Sequence, residues 1–116
     1  MLVVADLMVS LLRRGDVFAL RLPKAVGHEQ EGPRFGVVVQ SDAFLPRSVV
    51  LVAPTSRGAR SASFRPEIEI GGSSTRVLVE QVGAIDMGRL GDLAGHLTPE
   101  EQRGVDEALL TVLGLS

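Results

Sequence analysis

The sequence has no cysteine, tryptophan or tyrosine, and its 116 residues include four phenylalanines and a single lysine, Lys24. The absence of cysteine excludes thiol nucleophiles, disulfides, zinc fingers and iron–sulfur sites. Proteins that hold single-stranded nucleic acid by stacking need more aromatic side chains than this chain offers. Any contact with a nucleic acid therefore has to come from arginine, histidine, amides and the backbone.

Long hydrophobic runs are also missing. The first twelve residues are apolar, but they are too short to span a bilayer. Asp6 interrupts them, and Arg13 and Arg14 follow the apolar stretch instead of preceding it, which is not the pattern of a signal peptide. We therefore expect no membrane association and a cytoplasmic protein, in which this stretch is either a short packed segment or an extension before the domain.

The charge is small and unevenly distributed. The net charge is −2, which disfavours a general nucleic-acid coating protein. However, the first 91 residues carry 11 basic and nine acidic side chains, whereas the last 25 carry one basic and five acidic ones. The body of the protein is thus mildly basic. With 45% apolar residues, the chain is long enough for one small domain with one core.

The pattern predicts five short strands, at residues 16–22, 35–40, 48–54, 64–70 and 76–82. The intervening loops cover residues 23–33 and 55–63, and turns cover residues 41–46 and 71–74. Pro66 restricts the fourth strand to an edge position or makes it the start of a strand. Short strands at this spacing are typical of a small antiparallel barrel.

The C-terminal segment predicts an α-helix. Thr98 is a suitable N-cap, Pro99 occupies the first helical position, and Glu101 completes a capping box. An apolar face follows at helical spacing, and Gly114 is a natural stop. The members of that face are Val105, Ala108, Leu109, Val112 and Leu113. A shorter helix is expected after Asp86.

Two polar clusters are candidate sites. The first is the loop from Gly27 to Arg34, which combines His28 and Glu29 with an amide and a cation. The second is Thr55-Ser56-Arg57, whose hydroxyls and guanidinium can hold a phosphate at the end of a strand. Each cluster is equally compatible with an ordinary solvated loop or turn. His28 and His96 lie far apart without acids at metal-ligand spacing, so we expect no metal site and no cofactor.

The order of motifs resembles the MazF/PemK family of toxin endoribonucleases over residues 13–115. The resemblance is carried by six segments in the family order: Arg14-Gly15-Asp16-Val17, Gly27-His28-Glu29-Gln30 with Gly32 and Arg34, Val37 to Asp42, Pro54-Thr55-Ser56, Val77 to Val82, and Ile85-Asp86 with Arg89-Leu90. His28 replaces the small hydroxyl residue of the family, and Phe35 replaces a proline. Residues 1–12 have no counterpart, which divides the chain into an N-terminal extension, 1–12, and a single toxin domain, 13–116.

The resemblance implies an SH3-like antiparallel barrel with a C-terminal helix, usually as a homodimer. It also implies metal-independent cleavage of single-stranded RNA to 2′,3′-cyclic phosphate and 5′-hydroxyl ends, and a MazE-like antitoxin with an extended acidic or apolar segment as partner. By resemblance, Arg34 and Thr55 are catalytic residues that hold the phosphate. Because arginine stays protonated, we expect Glu29 to be the catalytic base or to orient the substrate. His28 is a candidate for an additional catalytic acid or base that is specific to this chain. The implied substrate-binding residues are Gln30, Ser56, Arg57 and Gln81.

Two other classes of function remain open. One is a non-catalytic toxin of the same fold, such as a CcdB-like gyrase poison, or an inactive paralogue. The combination of Glu29, Arg34 and Thr55 favours the nuclease over this class. The other is an SH3-like adaptor for peptides, which needs a groove lined by aromatic side chains. Four phenylalanines without tryptophan or tyrosine argue against an adaptor.

Overall fold

Seven antiparallel strands and one C-terminal α-helix make up the described part of the chain, which covers residues 12–22, 32–45 and 48–115 of a computed structural model. The elements are β1 (Asp16–Leu22), β2 (Gly32–Val38), β3 (Val49–Ser56), β4 (Glu67–Ile70), β5 (Ser73–Val77), β6 (Gly83–Asp86), β7 (Leu90–His96) and α1 (Pro99–Val112). Short 3-10 helices cover Asp42–Phe44, Val79–Gln81 and Met87–Arg89.

The strands form one curled sheet in the order β4-β5-β3-β2-β1-β7, with β6 paired to β3. The long strand β3 has β2 along one side, and β6 and then β5 along the other. This half-barrel with a C-terminal helix confirms the predicted mainly β, SH3-like class.

Both faces of β2 and β3 are buried where the two strands pair, at Val37 and Val38 and at Val52 and Ala53. Val37 of β2 and Ala53 of β3 belong to a cluster that includes Val105 and Ala108 of α1. Their neighbours on β2 and β3 face the opposite way, into a second cluster with Phe18, because successive side chains of a strand alternate between its faces. This is why β2 and β3 appear in the sequence as uninterrupted apolar runs. Full burial of one such side chain contributes about 1.5–3 kcal/mol.

Leu12 belongs to the second cluster and is buried. The rest of the predicted N-terminal extension, residues 1–11, lies outside the described residues. The division of the chain at residue 12 therefore stays a prediction.

The first half of the strand prediction needs two corrections. β1 has the predicted bounds, but β2 begins at Gly32 instead of residue 35 and ends at Val38. Its first residues pair with the end of β1, and Pro33 stands opposite Arg21. β3 runs two residues past Pro54, because Thr55 and Ser56 pair with β5. Thr55 and Ser56 are thus strand residues, and the prediction that they begin a loop is wrong.

The second half departs further from the prediction. β4 covers only Glu67–Ile70 of the predicted strand 64–70, beginning directly after Pro66, and a two-residue turn joins it to β5. That turn is formed by Gly71 and Gly72, whose φ angles are +58° and +83°, as a type I′ turn requires. The predicted strand 76–82 is wrong, because β5 ends at Val77 and a 3-10 helix follows. The helix expected after Asp86 is one 3-10 turn, and β6 and β7 were not predicted.

Helix α1 agrees closely with its prediction. The Thr98 hydroxyl accepts from the Glu101 amide at 3.1 Å, and the Glu101 carboxylate accepts from the Thr98 amide at 2.9 Å, which is a complete capping box. Gly114 has a φ of +70° directly after the helix. The packed face is shorter than predicted, since Leu113 is 57% exposed.

The Arg14-Gly15-Asp16 segment joins the barrel to the helix. Arg14 donates from Nε to the carbonyl of Val39 at 2.8 Å and pairs through Nη1 with Asp106 of α1 at 2.7 Å. Gly15 has a φ of +91°, and a Cβ there would lie 2.6 Å from Oε1 of Gln102. Only glycine fits this close approach without strain. The segment is therefore structural, at the start of β1.

Candidate functional site

A cavity of about 410 Å³ opens where β2, β3 and β5 come together. It is lined by Ala19, Arg34, Phe35, Thr55, Ser56, Arg57, Gly58 and Thr75. Four of the eight predicted site residues, Arg34, Thr55, Ser56 and Arg57, are thus brought to one place. They come from both predicted clusters, which are about twenty residues apart in the sequence.

Arg34 is the half-buried cation of this cavity. It lies on β2 opposite Leu20 of β1, so that the start of its side chain is fixed by the hydrogen-bonded ladder. Its Nε atom is buried and has no hydrogen-bond partner among the described residues. A buried donor without a partner costs about 1–3 kcal/mol. A planar guanidinium on a residue that lines a cavity is suited to bind two oxygens of a phosphate.

Thr55 supplies a buried hydroxyl to the same cavity. Its side chain is 3% exposed, and Oγ1 donates to the carbonyl of Phe35 at 3.2 Å. Because that bond uses the hydroxyl proton, the lone pairs of Oγ1 stay available to accept from a ligand. The same bond ties Thr55 to the residue that follows Arg34. The two side chains are therefore held in a fixed relationship across β2 and β3.

Ser56 and Arg57 form the rim of the cavity. Ser56 is half-buried at the end of β3 and stands opposite Arg76 of β5, whereas Arg57 is exposed. Among the described residues, the lining holds two guanidiniums and no acidic side chain. A site of this composition attracts anions.

Thr75 is a lining residue that sequence reasoning missed. It lies on β5 and is 5% exposed. The signal for it is weak: in a five-residue strand, Thr75 and Val77 occupy the two inward positions, and a hydroxyl there stands in place of an apolar side chain. It gives the cavity a second buried hydroxyl beside that of Thr55.

Of the other four predicted site residues, the structure describes Gln81 alone, which is not among the described residues that line the cavity. Gln81 lies in the 3-10 helix Val79–Gln81, half-buried. His28, Glu29 and Gln30 lie outside the described residues. The described strands on either side of them end at Leu22 and begin at Gly32, which are paired with each other.

The described residues hold neither a cluster of metal ligands nor a helix that could span a membrane. Within residues 12–22, 32–45 and 48–115, no three histidine or acidic side chains come together in a way that would hold a metal ion. Of the helices in the described ranges, none is long and apolar enough to cross a membrane.

A larger groove of about 590 Å³ lies away from the arginines. It is lined by Val39, Gln40, Ser41, Phe44, Ser48, Val49 and Leu51, none of which is charged. Phe44, Val49 and Leu51 are each more than 40% exposed. The described lining of this groove offers no charged group to an anionic ligand, and its apolar character suits a protein surface.

Comparisons with known proteins identify the fold and the family of the chain. A Mycobacterium tuberculosis protein assigned as a toxin is 41% identical over 104 residues, which cover 88% of this chain and 97% of the relative. The crystal structure of MazF from Deinococcus radiodurans superimposes with a TM-score of 0.78 at 22% identity, covering 89% of this chain and 96% of that one.

An endoribonuclease from a mycobacterial species, solved in complex with its cognate antitoxin, superimposes with a TM-score of 0.69 at 22% identity. The match covers 90% of this chain and 97% of that one. These likenesses at low identity establish the fold. The model of the PemK-like, MazF-like toxins of type II toxin–antitoxin systems matches residues 13–113. The chain belongs to this family of toxins.

Proposed function

We propose that this toxin is a metal-independent endoribonuclease that cleaves single-stranded RNA to 2′,3′-cyclic phosphate and 5′-hydroxyl ends. The observation that carries the proposal is the cavity that Arg34 and the buried Thr55 line together, with the Nε of Arg34 unpartnered among the described residues. Family membership and the endoribonuclease of the same fold support it.

The reaction needs no nucleophile from the protein, since RNA supplies its own 2′-hydroxyl. The 2′-oxygen forms a bond to phosphorus, the bond from phosphorus to the 5′-oxygen breaks, and negative charge develops on the phosphoryl oxygens. Arg34 stabilises that charge and orients the phosphate. The Thr55 hydroxyl, whose proton is donated to Phe35, accepts from a hydroxyl of the RNA and fixes the position of the reacting nucleotide.

Two protons move in the reaction. The proton of the 2′-hydroxyl leaves to a base, and the 5′-oxygen receives a proton from an acid. Arginine stays protonated throughout and is unsuited to both tasks. We assign the base to Glu29 and the acid to His28, whose side-chain type titrates near neutral pH. Gln30, Ser56, Arg57 and Gln81 are assigned to substrate binding.

Induction in a bacterial host followed by sequencing of RNA 5′-hydroxyl ends tests this function. The expected result is a set of new ends that share a short sequence and are absent for Arg34→Ala. Purified protein should produce the same cuts in the presence of EDTA. Growth arrest without new RNA ends, accompanied by binding to a protein such as gyrase, would replace the nuclease with a protein-binding toxin.

The partner we propose is an antitoxin with an extended acidic or apolar segment that covers the cavity. The cavity lining is positively charged, so an acidic segment is complementary to it. Such an antitoxin competes with RNA for Arg34. An antitoxin complex that leaves the cavity open and still blocks cleavage would contradict this mode of inhibition. The cytoplasm, where both RNA and antitoxin are made, is the expected location.

We also propose that the toxin is a symmetric homodimer, and that its apolar surface provides the interface. Phe44, Val49 and Leu51 are exposed at the groove described above, and the end of α1 exposes Leu113 and Leu115. Leu51→Glu should give a monomer in light scattering, whereas Ala94→Glu, at an exposed position of β7 that is not among the described groove residues, should leave the dimer intact. A wild-type monomer at micromolar concentration with full activity would overturn this assembly.

A further inference from the structure

The loop between β3 and β4 extends from the rim of the cavity. Its first residues, Arg57 and Gly58, line the cavity. Residues 57–65 contain three arginines and no acidic residue. The Arg65 guanidinium is paired within the protein, which indicates a structural role. The guanidiniums of Arg57 and Arg60 are exposed and available to bind a ligand.

Arg65 is fully engaged within the protein. Its Nε and Nη2 atoms donate to Oε2 of Glu80 at 2.7 and 2.6 Å, and its Nη1 atom donates to the carbonyl of Arg60 at 3.2 Å. The guanidinium also lies 5.4 Å from the centre of the Phe64 ring. Arg65 therefore joins the middle of its own loop to the 3-10 helix that carries Glu80.

The end of the loop is fastened to β5 as well. Nη1 of Arg76 donates to the carbonyl of Arg65 at 3.0 Å, and the amide of Val77 donates to the carbonyl of Pro66 at 2.9 Å. Together with the contacts of Arg65, these bonds hold the loop against two neighbouring elements. The loop backbone is therefore held at Arg60 and from Arg65 to Pro66.

Arg57 and Arg60 are the side chains that it presents. Both are exposed, and neither forms an ion pair or a side-chain hydrogen bond with a described residue. Being three positions apart, their Cα atoms are separated by at most about 11 Å. Each guanidinium can bind two oxygens of one phosphate. The loop thus carries two uncompensated positive charges, one at the rim of the cavity and one beyond its described lining.

We propose that residues 57–65 form a second contact surface for the RNA strand, which we term the flank loop. Arg57 and Arg60 bind phosphates next to the scissile one, and the Arg65–Glu80 pair is a positioning element that keeps the flank loop in place. This inference rests on the proposed ribonuclease function. According to this inference, the RNA strand leaves the cavity along the flank loop. RNA long enough to reach Arg60 should therefore bind more tightly than shorter RNA.

The first experiment measures binding and needs no cleavage. Fluorescence anisotropy with a single-stranded DNA of about 16 nucleotides, which lacks the 2′-hydroxyl, gives the affinity at several salt concentrations. Arg60→Ala should weaken binding about 10-fold, and should make the slope of log K against log salt shallower by about 0.7, the value for one phosphate contact on a single strand. Arg103→Ala on α1 is the matched control, since it removes the same charge from an exposed position outside the cavity.

The second experiment separates positioning from charge. Arg65→Lys keeps the charge but cannot reproduce the two bonds to Glu80 together with the bond to Arg60. Hydrogen exchange of residues 57–65 should become faster. The ratio of kcat/KM on RNA of about 16 nucleotides to that on RNA of about 4 should also fall, as for Arg60→Ala. Unchanged exchange with an unchanged ratio would overturn the positioning role.

The outcomes distinguish this inference from the function on which it rests. Wild-type protein that binds the DNA through Arg60 but never cleaves RNA would overturn the ribonuclease and retain the surface. Wild-type protein that cleaves RNA, with Arg60→Ala equal to Arg103→Ala in affinity, salt slope and length dependence, would overturn the flank loop and retain the ribonuclease.

Discussion

His96 and Asp16 face each other across the β1–β7 pair, with Nδ1 of the imidazole 2.8 Å from Oδ1 of the carboxylate. The Asp16 side chain is 6% exposed and that of His96 is 36% exposed. Asp16 also accepts from the amide of Arg13 at 3.0 Å. The exposed His96 therefore covers a buried carboxylate, and both residues belong to the frame of the barrel.

Removal of that carboxylate should destabilise the fold. Asp16→Ala leaves the Arg13 amide and the His96 ring without their partner, and should lower the free energy of unfolding by about 1–3 kcal/mol. Urea denaturation measures this change. Asp92→Ala, at an exposed position of β7, is the control and should differ by less than about 0.5 kcal/mol. Equal stability of the two variants would show that the Asp16 contacts contribute little.

Arg34→Ala should reduce kcat/KM for RNA cleavage by at least about 10²–10³, the usual effect of removing one preorganised donor of charge stabilisation. Arg34→Lys should also be poor, because lysine keeps the charge but loses the planar fork. Both should retain the wild-type thermal transition, since Arg34 lines a cavity and is not in the core. A fully active Arg34→Lys would reduce the role of Arg34 to that of a point charge.

Thr55→Ala should lower the rate less than Arg34→Ala does, because it removes a neutral hydroxyl. It also leaves the carbonyl of Phe35 without its 3.2 Å donor, so a loss of stability of about 1 kcal/mol should accompany it. Thr55→Ser restores the hydroxyl and should recover most of the activity. Loss of cleavage in Thr55→Ser equal to that in Thr55→Ala would point to the methyl group and to packing.

His28 is tested by the pH dependence of cleavage. If it donates the proton to the 5′-oxygen, kcat/KM should decline as pH rises through its pKa, and His28→Ala should flatten that limb near the ordinary histidine value of about 6.5. EDTA should change the rate of cleavage neither of the wild-type protein nor of His28→Ala. A variant that keeps the shape of the profile and loses only affinity would make His28 a binding residue.

The strands that could be predicted most directly are those whose side chains are buried in the two core clusters. β1, β2 and β3 are rich in β-branched and other apolar residues, and their existence follows from composition alone. β7 was not predictable, because the sequence of Leu90–His96 contains two glycines and has no β-branched residue; its pairing with β1 makes it a strand. Val77, Leu78 and Val79 are all buried in succession, a pattern that does not distinguish a strand from a tight turn.

Some residues of the candidate site could be predicted from the sequence and others could not. Arg34 and Thr55 could be proposed from the order of motifs, because each keeps its place in the family pattern. Thr75 could not, because its burial depends on β5 pairing with both β3 and β4. The role of Arg65 was equally hidden, since nothing in the sequence joins it to Glu80, fifteen positions away.

The position of β3 between three other strands has a consequence for how long the cavity survives. Thr55 and Ser56 occupy the end of this strand, and opening it would break its pairing with β2, β5 and β6. Segments of this kind exchange their amide protons only through near-global unfolding. The cavity therefore needs no bound molecule to keep its shape, and it stays assembled after any partner has dissociated or been degraded.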